Sequence, residues 1–435
     1  MSFKYLAERI CTESSVHGLP YLVKRELHWT ERLFWIAVLI SATYFSINMC
    51  LNQWERFREN PIVYAMELTW GKSDFPYAGI TICSNYYDEE AFTRLIQENW
   101  QVKPNDTKYQ YYWQFLSVLN SLHVDNLKSL TPFAKDKNLK KLKLLDVLLQ
   151  LHAKRFPTQL NDSVTLSSGL LIDLDNRFNL YAPAITEGGL CKTTSQLSKY
   201  TNPYGKLVSL SVSKVIYCGF LNECNTKILP LVDSKTDIRI YIHNVFDVVM
   251  PGDRNTILHE IKADGSLTME LLLSATTAES GVRNLPIQYR KCRYPDENVL
   301  KYFEIYRPGV CRSECRIDAA LRLCKCKPYF YAVAPEAPIC DVDGMLCLDR
   351  KNWTQTPCNC VPLCEEINYN LQKILQKTSK FESTIIVMLN LPSMAIKRRV
   401  VFSTDQLVVS FGGAINLFLG ASFISVFNVV YIFAQ

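Results

Sequence analysis

Two stretches of the chain carry no charge. Leu33–Leu51 (LFWIAVLISATYFSINMCL) runs for 19 residues and Leu407–Phe433 (LVVSFGGAINLFLGASFISVFNVVYIF) for 27. At ~1.5 Å per helical residue, both are long enough to cross a hydrocarbon core of ~30 Å. The first begins too late and runs too long for a typical cleaved signal peptide, so an uncleaved span is predicted over residues 33–51. The second, predicted over 407–433, contains Gly412, Gly413, Gly420, three serines, Asn416 and Asn428. A plain anchor has no need of them.

Between the spans, in residues 52–406, the pattern changes. Residues 52–85 have extended character, with β-branched and aromatic residues in PIVYAM and YAGITIC. Residues 88–155 take helical spacing in EEAFTRLIQENW and LKKLKLLDVLLQLHAKRF. The latter is apolar at Leu139, Leu142, Leu145 and Leu149 on a basic background. Residues 205–272 return to strands in KLVSLSVSKVIYC, DIRIYIHNVFDVV and LTMELLLSATTA. There Ile238, Ile240 and Ile242 alternate with Arg239, Tyr241 and His243, the period of a half-buried strand. From Cys292 to Cys364 the chain is rich in cysteine and proline, with short helical pieces. The expectation is one α+β domain: a central sheet, an early helical insertion, and a late disulfide-stapled helical module.

Composition supports a packed core, since 48% of the 435 residues are hydrophobic. The net charge of +6 is spread along the chain. Its basic runs, Lys137–Lys143 and Lys397–Arg399, lack interleaved aromatics. They are therefore taken as solvated faces, and no nucleic-acid partner is expected. Basic residues flank the spans on both sides, so charge does not orient the chain. Cysteine does. Of 16 cysteines, only Cys11 and Cys50 lie outside residues 52–406. A dense, even set in one segment implies an oxidising compartment. Sequons at Asn105, Asn161 and Asn352 fall in the same segment. The segment is expected to be extracellular, with membrane lipid around two spans and both termini cytoplasmic.

The chain has no G-x-S-x-G, Walker loop or H-E-x-x-H motif, and its six histidines are scattered. No enzyme is expected. Acidic pairs at Glu89-Glu90, Asp341/Asp343 and Glu365-Glu366 are read as solvated surface. The sharpest signal is C-x3-C-x8-C-x-C at Cys311, Cys315, Cys324 and Cys326, followed by C-x-C-x3-C at Cys358, Cys360 and Cys364. Zinc is disfavoured, because extracellular thiols oxidise and C-x-C is not the usual C-x2-C clip; no metal site is expected. If the module is a helical hairpin, its cysteines pair in reverse order. That gives Cys292–Cys364, Cys311–Cys360, Cys315–Cys358, Cys324–Cys347 and Cys326–Cys340, a ladder. In the second span, Ser410, Ser422, Ser425 and Asn428 fall within a ~120° arc of a helical wheel, with Gly412, Gly413, Asn416 and Gly420 on a separate stripe. Small residues pack helices closely, and polar groups inside a membrane face a bundle interior or water. One such helix cannot enclose a path, so a path requires several copies. A channel and a signalling receptor both fit these residues.

The chain resembles the epithelial sodium channel/degenerin family, and its insect pickpocket-like branch most closely. The resemblance rests on SSVHGLPYL, ERLFWIAVLI, FPYAGITIC, GVRNLPIQYRKCRYPDE, CRSECRIDAALRLCKCKPYFY, CNCVPLCEEINY and SFGGAINLFLGAS. It implies a membrane protein with two transmembrane helices and a large disulfide-rich α+β ectodomain of palm, finger, thumb, knuckle and β-ball, assembled as a homo- or heterotrimer. On that plan residues 1–32 form a cytoplasmic N-terminus carrying the gating motif His17-Gly18, and 33–51 the first transmembrane helix. Residues 52–406 form the extracellular domain, with the finger at about 88–155 and the thumb at about 292–364. Residues 407–433 form the second helix and pore, and 434–435 a stub without a cytoplasmic tail.

The resemblance further implies a sodium-preferring, amiloride-sensitive pore in the plasma membrane, opened by an unidentified extracellular ligand or stimulus. No cofactor is implied beyond the permeant Na+ ion. Gly420, Ala421 and Ser422 would form the selectivity belt, where backbone carbonyls can replace part of a cation's hydration shell. Val409 matches the degenerin site near the gate, and Ser410, Gly413, Asn416, Ser425 and Asn428 would line the pore. Family pairing also implies Cys83–Cys224 and Cys191–Cys218. The family often has an acidic residue where this chain has Asn428, Asp where it has Ser410, and Gly or Ser where it has Asn416. Without the acid, a trimer lacks a ring of three negative charges below the belt. A non-conducting auxiliary subunit is the alternative. An ATP-gated type of trimeric channel is disfavoured by the cysteine spacing.

Overall fold

The structure is a computed structural model. It describes residues 9, 11–24, 26–68, 75–85, 88–140, 142–152, 182–204, 215, 217–218, 237–262, 265–378, 385–422, 424–425, 427 and 431, with backbone alone at 170–172 and 224–230. Its main helices are α1 (Leu19–Val23), α2 (Trp29–Glu59), α3 (Glu89–Trp100), α4 (Tyr109–Asn120), α5 (Leu144–Leu151), α6 (Pro308–Cys324), α7 (Val342–Arg350) and α8 (Thr404–Leu419). Its strands are β1 (Ile62–Leu68), β2 (Phe75–Pro76), β3 (Gly79–Ser84), β4 (Leu170–Ile172), β5 (Ala182–Thr186), β6 (Gly189–Thr193), β7 (Tyr217–Cys218), β8 (Cys224–Pro230), β9 (Ile238–His243), β10 (Ile257–Ile261), β11 (Gly265–Ala278), β12 (Glu366–Thr378), β13 (Ile385–Asn390) and β14 (Met394–Val400). The chain divides into two compact units.

One unit comprises Met1–Ala65, Ala278–Lys291 and Ile396–Gln435. The first apolar run sits inside α2, which extends it at both ends. Glu31 and His28 close a capping box at its start, and Arg56 and Arg58 in its last turn suit the negative helix end. Only Ser46 and Phe57 of its 31 residues are buried, while Phe34, Ile40, Tyr44 and Leu51 stand exposed. Helix α8 opens on a second capping box. Ser403 Oγ accepts the Gln406 N–H at 3.2 Å, and Gln406 Oε1 accepts the Ser403 N–H at 3.1 Å. Phe57, Leu285 and Leu407 form a small core with Phe402 and Tyr289 packed on it.

The other unit, Met66–Thr277 and Cys292–Ala395, carries the sheets. Strand β11 pairs antiparallel with β12 and parallel with β13; β13 pairs with β8, and β8 with β4. The second sheet runs β10-β9-β3-β6-β5. Alternate residues of β11, from Leu267 to Leu273, share a core with Ile80, Ile82, Ile240 and Ile242.

The expected half-buried strand is corrected here. All six residues of β9 are buried: Ile238, Ile240 and Ile242 sit in the sheet core, and Tyr241 on the other face packs with Cys83, Cys191 and Val249. On that second face His243 is buried and paired. His243 bonds the Thr81 hydroxyl at 2.8 Å and the Asn244 carbonyl at 2.9 Å. Burial pushes the His243 imidazole down to about 4, so it is neutral near pH 7.

The helical insertion contains α3, α4 and α5. Its last apolar face is also shifted from the sequence expectation. Helix begins only at Leu144, and Leu144, Val147, Leu148 and Leu151 are its buried face. Leu139 is buried from a preceding turn, while Leu142, Leu145 and Leu149 are half-buried. An eighteen-residue pattern was not one helix, so its wheel did not apply. The same core takes in residues of α6 and α7.

Helix α6 presents Cys311, Cys315 and Cys324. The ladder Cys292–Cys364, Cys311–Cys360, Cys315–Cys358, Cys324–Cys347 and Cys326–Cys340 is present rung by rung. The pairs Cys83–Cys224 and Cys191–Cys218 are not formed. Cys83 bonds Cys191, its register partner across the antiparallel pair β3–β6, with Cα atoms 4.2 Å apart. Cys218 is also disulfide-bonded. Strand register, which spacing does not report, chose the partner of Cys83.

Candidate functional site

The second apolar run does not make one continuous helix. Helix α8 stops at Leu419, and Gly420 caps it in the left-handed region at φ +68°. The Gly420 N–H still donates to the Asn416 carbonyl at 2.9 Å. Ala421 and Ser422 are non-helical, and helix is assigned again at Ile424 and Ser425. Glycine is required at 420 on two counts. Its φ disfavours a side chain, and a Cβ there would lie 1.8 Å from His17 Nδ1.

His17 arrives from the segment ahead of the first span. Its N–H donates to the Leu419 carbonyl at 2.9 Å, satisfying a carbonyl that the broken helix leaves open. Gly18 follows at φ +93° and starts α1. A Cβ on Gly18 would lie 3.3 Å from Leu39 and Trp35 of α2, and Tyr21 stacks on Trp35 with ring centroids 4.6 Å apart. So the His-Gly pair turns the chain against α2 and sets the histidine at the break in the second run. Below the break, the Ser422 N–H donates to Ser425 Oγ at 2.9 Å, and Ser15 Oγ bonds Ser425 Oγ.

On α8, at ~100° per residue, Asp405, Val409, Gly413, Asn416 and Gly420 fall within about 80° of one another. The first four are exposed, Val409 at 73%, and Gly412 and Gly413 face open space. Ser410 lies about 100° from Val409 on the same wheel and is half-buried. The expected serine–asparagine arc assumed one helix through residue 428. The break at Gly420 ends that helix, and Ser425 instead meets Ser422 and Ser15. Asn428 and Asn161 lie outside the described residues. Asn105 and Asn352 are exposed, as a glycosylation acceptor must be.

Sequence reasoning missed two residues here. Asp405 heads the exposed stripe, and the Ser403-x-x-Gln406 capping box was the signal that a helix starts beside it. Ser15 had no signal except its place two residues before His17.

Among the described residues, α2 is the one helix long and apolar enough to cross a membrane. An apolar helix left bare, a second apolar run broken at a glycine, and a disulfide-stapled segment between them in sequence fit a channel subunit and a membrane receptor alike. Residues 10–432 match the family described as amiloride-sensitive sodium channel, and the chain belongs to that family. It is 22% identical over 477 residues to the sodium channel protein Nach of Drosophila melanogaster, covering 98% of this chain and 86% of that one. It is 27% identical over 172 residues to pickpocket protein 11 of the same fly, covering 34% and 33% of the two chains. It is 24% identical over 185 residues to human acid-sensing ion channel 2, covering 36% of each. These relatives place it on the insect pickpocket-like branch of the epithelial sodium channel/degenerin family.

Proposed function

We propose that the chain is one subunit of a trimeric, sodium-permeable, amiloride-sensitive channel of the plasma membrane, with both termini cytoplasmic and gating through the ectodomain. The observation that carries this reading is the seating of His17 against the helix break at Gly420. Three copies around an axis would present Gly420, Ala421 and Ser422 as a belt, with non-helical backbone able to offer carbonyl oxygens to a partly dehydrated cation. The exposed stripe of Val409, Gly413 and Asn416 would line the approach. Three Asp405 carboxylates at its outer end would raise local cation concentration. That supplies attraction from the outer side, where Asn428 supplies no charge from the inner one.

The second reading, a non-conducting partner for a related subunit, is favoured by Asn428 alone. Expression of the chain by itself in oocytes under voltage clamp separates the two. Val409→Phe adds bulk to the exposed stripe near the gate and is expected to give a constitutive sodium current that amiloride reduces. Surface-expressed protein carrying no current, as wild type and as Val409→Phe, would reject the stand-alone channel.

A further inference from the structure

The helical insertion carries a charge that none of the foregoing uses. Residues 128–143 hold six lysines and one aspartate, a balance of +5 in a chain whose total is +6. The backbone between α4 and α5 gives that charge a direction. It opens in the 3₁₀ helix Val124–Phe133 and continues in tight turns. The Asp136 N–H donates to the Phe133 carbonyl at 3.3 Å, the Leu139 N–H to the Asp136 carbonyl at 3.2 Å, and the Leu142 N–H to the Leu139 carbonyl at 3.3 Å. Bonds of that reach give a period of three residues, so positions three apart share a side. Leu127, Leu130, Phe133 and Leu139 form one row, and all are buried. Lys128, Lys137, Lys140 and Lys143 form the row one position on, and all are exposed. Lys135 is exposed beside them, and Lys141 lies outside the described residues.

Few carboxylates answer this row. Lys140 Nζ meets Asp343 Oδ2 in the first turn of α7 at 2.5 Å. Asp136 Oδ1 accepts the Asn138 N–H at 2.8 Å, and Asp341 Oδ1 accepts the Gly344 N–H at 2.8 Å as the cap of α7. Asp125 and Asp146 are exposed beyond the two ends of the row. Among the described residues, Lys128, Lys135, Lys137 and Lys143 meet no carboxylate. Like charges set this closely repel one another, and a polyanion laid along them relieves that repulsion.

We propose that this lysine row is a docking surface for a sulfated polysaccharide. The inference rests on the reading of residues 52–406 as extracellular, and the disulfides Cys324–Cys347 and Cys326–Cys340 of the same compact unit fit an oxidising compartment. On that side of a membrane the resident polyanion is sulfated polysaccharide, not nucleic acid. An acidic protein is the poorer fit. Protein interfaces centre on apolar and aromatic anchors, and here the apolar row is turned inward. A polysaccharide asks only for spaced cations. At ~2 Å per residue the row from 128 to 143 runs ~30 Å, room for several sulfates in line.

Heparin binding by the full chain in phosphatidylcholine nanodiscs tests the proposal without reading current. At about 0.15 M salt the wild type should bind heparin, and bind desulfated heparin at least about tenfold more weakly. Its affinity should fall linearly on a log–log scale as salt rises. The triple variant Lys128→Ser, Lys137→Ser, Lys143→Ser should lose at least about tenfold, and the matching arginine triple should keep the binding. Lys262→Ser, Lys373→Ser, Lys377→Ser removes the same charge from another exposed surface, and should stay within about twofold of wild type. No heparin binding by the wild type, equal binding of desulfated heparin, tighter binding of poly-glutamate than of heparin, a tenfold loss in the arginine triple, or equal losses in the two serine triples would each overturn the proposal and leave the extracellular reading standing. Lys137 and Lys143 left unlabelled by a membrane-impermeant reagent on intact cells would overturn both.

Discussion

The stapled helix α6 and the broken helix α8 are similar in length and opposite in how they are held. Helix α6 is fixed from within its own chain. Three of its cysteines are bonded, and Arg316 forms a buried ion pair with Glu187, whose other oxygen takes the Tyr331 hydroxyl. Helix α8 has little of this. Leu407 and Ala414 are its buried residues, and Val408, Val409 and Leu417 stand bare. Helix α6 also buries eight of its 17 residues, some of them in the core shared with α3, α4 and α5, and the disulfides add to that cohesion. On the function proposed above, α8 leaves apolar surface for lipid or for other copies, and small residues such as Gly412 and Gly413 suit close approach of a neighbour.

Three variants test that contrast, beginning with the largest effect. Glu187→Ala leaves the half-buried Arg316 guanidinium and the buried Tyr331 hydroxyl without their partner, and should destabilise the ectodomain by about 3 kcal/mol. Thermal unfolding of full-length protein measures it; a loss under 1 kcal/mol would mean that the pair is dispensable to α6. Replacing Cys311 and Cys360 together by serine removes one rung and should cost about 2–4 kcal/mol, with the remaining rungs still formed. Non-reducing peptide mapping checks the rungs, and reshuffled pairs would show that the ladder is not specified rung by rung. Gly420→Ala should scarcely change unfolding. It should lower current at least about tenfold at equal surface expression, through the left-handed φ and the His17 ring. Unchanged current would remove Gly420 from the conduction path.

Legibility followed the range of the interaction. The nested ladder could be derived because a hairpin forces reverse order on its cysteines. LTMELLLSATTA was legible as a strand, and in β11 alternate residues from Leu267 to Leu273 are buried. Strand β9 was misjudged because alternation says nothing about whether a second layer covers the polar face, and here paired side chains such as His243 and Thr81 allow it. The arc through Ser410, Ser422 and Ser425 failed for a local reason with a distant cause, Asn428 lying outside the described residues. Gly420 is a weak helix breaker alone, and the His17 N–H on the Leu419 carbonyl completes the break.

The sequence by itself determined the two apolar runs, the oxidised segment between them, the ladder and the family. The first three follow from periodicity, composition or spacing along one stretch of chain, and the family from the resemblance of motifs along nearly all of it. Tertiary structure alone decided that Cys83 pairs with Cys191, that Asp247 reaches the first turn of α6, and that Ser15 and His17 meet the break at Gly420. Those contacts join residues from 62 to 410 positions apart. They depend on strand register and on where two helices pass each other, which no local pattern encodes.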